Sequence, residues 1–176
     1  MKFTETVLPG AFVIDVEAIE DERGFFARRW SRWEFEEHGL NTDIAQCSVS
    51  FNGKRGTLRG LHYQTKPYEE AKLVWCIRGA IHDVILDLRP SSPSYKKWIA
   101  VELTAANRKM LYVPEGFAHG YQTLEDDTEV SYQIFESYQP EYARGVRWND
   151  PAFAIPWPLP DRTMSERDRN FPDFTS

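Results

Sequence analysis

From its start to about residue 138 the chain alternates short apolar-rich runs with clusters of turn-forming residues. The first run is AFVIDV, residues 11–16, and FFARRW, residues 25–30, follows the turn-like DERG. Then come IAQCSVSF (44–51), TLRGLHYQ (57–64), AKLVWCIR (71–78), AIHDVILDLR (80–89), KKWIAVELT (96–104), KMLYVP (109–114) and TEVSYQIFESY (128–138). NGKRG, RPSSPS, TAANR and EDDT separate several of them. Many short strands at roughly 8–12-residue spacing predict an antiparallel sandwich or barrel. One segment has helical character: in SRWEFEEHG, residues 31–39, Ser31 and Glu34 predict a capping box and Gly39 suits the residue after the C-cap. No strand–helix–strand alternation and no internal repeat occurs. From Pro151 onward the chain is proline-rich and reads as coil wrapped on the body, with a short helix near SERDR.

Strand parity sorts the side chains. In 128–138, Val130, Tyr132 and Ile134 share one face, which places Tyr132 on the apolar side, where its hydroxyl needs a partner. In 71–78, Lys72 shares a face with Val74 and Cys76. A lysine among apolar neighbours inside a barrel suggests a pocket; a lysine snorkelling at the rim is the plainer alternative. Arg59 and His62 have opposite parity, and a bulge at Gly60 would bring them to one side.

Composition narrows the class. At 176 residues the chain has the length of a single domain, 1–176. It has no run of 18 apolar residues, so no helical membrane span is expected, and MKFTETVLPG lacks the apolar stretch of a secretory signal. Cys47 and Cys76 match no metal spacing and are too few for a disulfide framework; both read as small buried hydrophobes in strands. A reducing cytoplasm is the expected compartment. The net charge of -6 argues against a nucleic-acid binder with a general basic surface, though not against a local cationic pocket. Six Trp, eight Tyr and eleven Phe are enough rings to fill a core and also line a subunit interface or stack on a base or sugar.

TLRGLHYQ is the segment richest in chemistry. A histidine on a β-scaffold near a cation suits general-base work on an anionic substrate. Lys72, His119, Tyr132 and Asp168 are candidate partners. His38 belongs to the exposed end of the helix, and His82 has the parity of Val84 and Leu86, which makes it a packed or hydrogen-bonded core residue. A metal site needs separate testing. PEGFAHG, residues 114–120, resembles the second motif of the cupin superfamily. The first cupin motif fits His62, Gln64 and Glu69, but Gln64 stands where a second histidine is wanted and is a weak ligand. His62, Glu69 and His119 remain a possible metal set, with no metal as the favoured reading. The cupin resemblance implies an all-β double-stranded β-helix, a jelly roll, with a few short helices.

A closer resemblance covers nearly the whole chain. DERGFF, QCSVSFN, GTLRGLHYQ, AKLV, GAIHDVILDLRPSSPSY, LYVPEGFAHGYQTL, EVSYQ, WNDPAFAIPWP and SERDR occur in that order. They resemble the nucleotide-sugar epimerases of the dTDP-4-dehydrorhamnose 3,5-epimerase family. The resemblance implies that His62 matches the catalytic base and Asp168 the carboxylate behind it. Tyr132 matches the proton donor on the opposite face of the sugar, and Lys72 the group that stabilises the enolate oxygen. Arg23, Gln46, Ser48, Arg59 and His119 match substrate-binding positions, with Arg23 and Gln46 reaching across a homodimer; Phe26 and Tyr138 match positions near the base. It further implies a nucleotide-diphospho-4-keto-sugar substrate and no cofactor. Ser48 stands where many members carry Asn, and Arg28 where rhamnose-pathway members often carry Glu, which bears on the nucleotide and the exact sugar. Three functions follow: an epimerase at C3 and C5, or at only one of them on a GDP- or CDP-linked sugar; a cupin-type metal enzyme; or a non-enzymatic binder on the same fold. A binder has no need of a base, its orienting carboxylate and an acid together.

Overall fold

The computed structural model describes residues 1–175. The elements in chain order are β1 (Lys2–Glu5), β2 (Phe12–Asp15), β3 (Ile19–Asp21), β4 (Gly24–Phe26), α1 (Arg32–Glu37), β5 (Gln46–Asn52) and β6 (Leu58–Gln64), then β7 (Lys72–Arg78), β8 (Ala80–Asp87), β9 (Trp98–Thr104), β10 (Met110–Val113), β11 (Phe117–Thr123), β12 (Thr128–Ile134), β13 (Ala143–Gly145) and α2 (Glu166–Arg169). One sheet has the order β1-β2-β10-β7-β12-β5 and the other β13-β6-β11-β8-β9; β3 and β4 form a separate hairpin. The strand pairs in these sheets are antiparallel. This is the jelly roll expected above, and among the described residues no helix is long and apolar enough to cross a membrane.

Three apolar clusters hold it together. Between the sheets lie Val74, Cys76, Ile81, Ile85, Leu111 and Val130, with Tyr132 packed against them. Helix α1 covers the outer face of the first sheet through Phe35, which packs on Ile14, Leu73 and Met110. The tail covers the second sheet with Phe153, Ile155 and Trp157 against Leu58, Val84 and Leu86. Each such side chain contributes about 1.5–3 kcal/mol when removed from water. The tail is also tied by polar bonds: the indole N–H of Trp157 donates to the Trp148 carbonyl at 2.7 Å, and that of Trp98 to the Phe153 carbonyl at 3.0 Å. A tail fixed this firmly can deliver α2 to the site.

Several expectations change. β1, β3, β11 and β13 were not legible as strands; β11 is buried along its whole length. FFARRW is strand only through Phe26. The capping box does not form, because Ser31 makes no side-chain cap bond and Glu34 instead accepts from the Met1 amine at 2.7 Å. Gly39 does take the position after the C-cap, at φ +68°, with Leu40 N–H donating to the Phe35 carbonyl. Cys76 is buried, and burial pushes its thiol up to about 11; Cys47 is exposed. The parity of Cys47 turns it to the outer face of an edge strand, away from the core. His82 packs edge-on to Trp157, but its Nε2 has no hydrogen-bond partner among the described residues.

The RPSSPS turn is organised by one fully buried carboxylate. Asp87 Oδ1 accepts from Arg89 N–H and Nε at 2.9 Å each; Oδ2 accepts from Arg89 Nη2 at 2.8 Å and from the Ser92 and Ser94 hydroxyls at 2.6 Å each. Burial alone pushes the Asp87 carboxyl up; these donors outweigh it and hold the group at about 2. The native value lies below that of the unfolded chain, so Asp87 stabilises the fold fully above about pH 4 and the contribution is lost as pH falls toward 2, about 2 kcal/mol in all. Urea unfolding at pH 6 and pH 2.5 should show Asp87→Asn costing much less at the lower pH. An equal cost at both would refute this linkage.

Candidate active site

A cavity of about 290 Å³ opens between the sheets where β5, β7 and β12 face β6, β11 and β13. The first sheet contributes Gln46, Ser50, Lys72 and Tyr132; the second contributes Arg59, His62, His119, Tyr121 and Arg144. Its charged lining is Arg59, Lys72, Arg144 and Arg167 against Glu70, four cations less one carboxylate, a formal +3. In a chain of net charge -6 that is a local reversal of sign, suited to an anionic ligand.

The bulge expected at Gly60 is present. His119 pairs with His62 and Tyr121 with Arg59, so two residues of β6, Gly60 and Leu61, oppose one of β11, Gly120. Gly60 sits at φ +112°, and a Cβ there would lie 2.6 Å from the Gly120 Cα. Only glycine permits this approach, and the resulting kink puts both Arg59 and His62 on the cavity.

His62 Nε2 lies 2.7 Å from Asp168 Oδ1. Asp168 is buried, its Oδ2 accepts from Gly60 N–H at 3.2 Å, and its own N–H donates to the N-cap hydroxyl of Ser165 at 3.1 Å. Burial pushes this carboxyl up, but the His62 bond, the imidazole charge, the Gly60 N–H and the nearby Ser165 side chain bring it net below the usual carboxylate range. Asp168 is therefore ionised at neutral pH and accepts from Nε2–H, which leaves Nδ1 as the basic nitrogen of His62.

Tyr132 comes from the opposite sheet. Its side chain is half-buried, and its hydroxyl lies 3.3 Å from Ser50 Oγ. Burial, reinforced by Tyr121, holds the Tyr132 phenol well above its ordinary value, so it carries its proton throughout the neutral range. Lys72 is buried, as the parity argument suggested, with Nζ 2.8 Å from Glu70 Oε1. His119 Nε2 lies 2.7 Å from Asp83 Oδ1, a second histidine–carboxylate pair. Gln46 Oε1 accepts from Tyr138 N–H at 2.9 Å and so sets that ring at the cavity edge.

Of the residues singled out in the sequence, His62, Tyr132, Lys72, Arg59, His119, Gln46 and Tyr138 line the cavity, with Asp168 directly behind His62. Ser48 does not line it; Ser50, two residues on, does. Arg23 and Phe26 lie on the exposed β3–β4 hairpin, where Arg23 pairs with Asp21 at 2.5 Å. Arg28, the other departure, pairs with Glu34 at 3.4 Å. Sequence reasoning missed Glu70, Arg144, Arg167, Ser50 and Tyr121. Arg167 was findable, since it adjoins Asp168 in SERDR. The metal set does not assemble. Gln64 donates to the Tyr68 and Ser137 carbonyls at 2.9 and 3.2 Å, and the described residues hold no group of three or more His, Cys, Asp or Glu placed to bind an ion.

The fold is a cupin-like jelly roll, and a histidine–aspartate pair facing a buried phenol across a cationic cavity is equipment for moving protons on an anionic substrate. The family model described as dTDP-4-dehydrorhamnose 3,5-epimerase matches residues 5–176, and the chain belongs to that family. The dTDP-4-dehydrorhamnose 3,5-epimerase of Methanothermobacter thermautotrophicus is 44% identical over 174 residues, 97% of this chain and 92% of the relative. The crystal structure of the Bacillus anthracis enzyme with TDP and PPi bound superposes with a TM-score of 0.94 at 40% identity, covering 98% of this chain and 99% of that one. The Legionella pneumophila enzyme in complex with dTDP-4-keto-L-rhamnose gives 0.90 at 30% identity, with 99% of both chains covered.

Proposed function

We propose that this chain catalyses its family's reaction, inverting C3 and C5 of dTDP-4-dehydro-6-deoxyglucose to give dTDP-4-dehydrorhamnose. The observation that carries the reading is that His62, backed by Asp168 of α2, lies on one sheet and Tyr132 on the other, both rings lining a single cavity. The C4 ketone acidifies the protons on its neighbours. His62 Nδ1 removes one, Asp168 stabilises the resulting imidazolium, and Lys72 stabilises the charge developing on O4. Tyr132 then delivers a proton to the opposite face. Arg59 meets the diphosphate, whose oxyanions suit a guanidinium fork, and Gln46, His119 and Tyr138, which line the same cavity, complete the substrate-binding set. Nothing in the scheme calls for a metal or a cofactor, because the substrate's own ketone acts as the electron sink. The free thiols, Cys47 among them exposed, fit a reducing cytoplasm.

The working unit in this reading is a homodimer. Strand β5 is an unpaired sheet edge whose outer face leaves Val49 63% and Phe51 54% exposed. Phe26 is 70% exposed on its hairpin. A two-fold partner would cover such an edge and place Arg23 and Phe26 at the neighbour's cavity. Light scattering should give twice the chain mass, and Phe51→Glu should shift it toward monomer; a wild-type monomer at full activity would refute the arrangement.

The deciding assay is reaction in heavy water, read by NMR, on dTDP-, GDP- and CDP-linked 4-keto-6-deoxy sugars. Deuterium should enter at both C3 and C5 of the dTDP sugar, and EDTA should leave the rate unchanged. Label at one carbon alone would make this a mono-epimerase; activity lost to EDTA and restored by one metal would overturn the scheme.

A further inference from the structure

The cavity contains hydroxyls to which the scheme above gives no task. Ser50 Oγ lies 2.8 Å from Tyr121 Oη and 3.3 Å from Tyr132 Oη, and Tyr121 Oη lies 3.3 Å from Asn52 Oδ1. Ser50 and Asn52 are on β5, Tyr121 on β11 and Tyr132 on β12, so the chain bridges the two sheets. Asn52 fixes its direction. Its Nδ2 donates to the Thr128 carbonyl at 3.1 Å and its Oδ1 accepts from Arg59 Nε at 2.7 Å. An amide oxygen only accepts, so the Tyr121 hydroxyl donates to it. Tyr121 then offers Ser50 only lone pairs, so Ser50 donates to Tyr121. The Ser50 oxygen in turn accepts from Tyr132.

We propose that Ser50 and Tyr121 are positioning residues for the proton-donating step, holding the charge that Tyr132 acquires and returning its proton. This rests on the reading of Tyr132 as the donor. When Tyr132 protonates the substrate carbon, its O–H bond breaks, a C–H bond forms, and a buried phenolate remains. The Ser50 hydroxyl turns from acceptor to donor and passes its proton to that phenolate in concert with proton uptake from solvent, so no serine alkoxide forms. Ser50 takes a replacement from solvent at the cavity mouth, and His62 releases to the same solvent the proton it removed, so the cycle closes without net change. Tyr121 keeps its own proton on Asn52 and orients Ser50.

The distances fit a group that acts on the transition state. A resting separation of 3.3 Å is long for a hydroxyl pair, whose usual distance is about 2.7–2.8 Å. A bond to an anionic oxygen shortens to about 2.5–2.7 Å and is roughly twice as strong. The contact is thus weak before proton transfer and strong as charge develops, which is the condition for accelerating a step. Burial makes the phenolate costly without such a donor.

The test separates proton removal from inversion. In Ser50→Ala and Tyr121→Phe, solvent deuterium should still enter substrate within about twofold of the wild-type rate, while kcat for inverted product falls about 10-fold with KM little changed. In a Tyr132→Phe background neither substitution should slow the residual inversion further. Equal losses in both backgrounds, or exchange and inversion falling together, would mean a packing role and overturn the proposal, as would wild-type inversion by both variants. Tyr132→Phe alone separates the two readings: if it inverts normally, the donor assignment itself fails; if it is defective while Ser50→Ala and Tyr121→Phe are not, only the present inference fails.

Discussion

His62→Asn abolishes hydrogen exchange at both C3 and C5 while the folded variant still binds dTDP. Asparagine preserves a hydrogen bond toward Asp168, so the local structure is retained and only the base is lost. A positioned general base contributes roughly 10²- to 10⁴-fold. The expected loss lies at the upper end of that range, because no neighbour can substitute. His119, the only other histidine on the cavity among the described residues, is buried and committed to Asp83 at 2.7 Å. Lys72 is paired with Glu70. Each tenfold loss corresponds to about 1.4 kcal/mol of transition-state stabilisation. Exchange is read by NMR in heavy water and binding by calorimetry with dTDP. Survival of exchange at either carbon would show that a second base serves it and would end the single-base scheme.

The split between what the sequence disclosed and what it did not has physical causes. Period-2 patterning and turn chemistry made most of the larger sheet legible, and parity correctly turned Tyr132 and Lys72 inward. β11 escaped because FAHGYQT is buried along its length and so shows no alternation. The capping box failed because a distant group won: the Met1 amine, 33 residues from Glu34, takes the carboxylate that would have reached back to the helix start. Cys47 was placed in the right element but on the wrong side, since the sequence does not reveal which strand is an edge. His62 and Asp168 are 106 residues apart, and their contact depends on a tail whose path is set by Phe153, Ile155 and Trp157 packing on the second sheet. Family motifs nominated that pair; periodicity alone did not. Glu70 and Ser50 stayed hidden because each works on a residue already identified, at a distance only the folded chain fixes.

Tyr132→Phe separates the two halves of the reaction. The substitution removes one oxygen from a ring that packs against the inter-sheet core, and the hydroxyl's contact to Ser50 is long at 3.3 Å, so the fold is preserved. His62 is untouched, and substrate protons still wash out into solvent. Without a donor on the far face, the enolate is reprotonated by the imidazolium on the face from which the proton came, and configuration is retained. Inverted product should fall about 10³-fold, within the range for a positioned acid, while exchange changes severalfold at most. The raised phenol also predicts how pH acts on the wild type: Tyr132 stays protonated through neutral and mildly alkaline pH, so loss of the donor form cannot limit inversion there. The informative quantity is the ratio of inversion to exchange, measured on one sample by NMR. A ratio equal to that of the wild type would remove Tyr132 from the mechanism and require the second proton to arrive from another group on the first sheet.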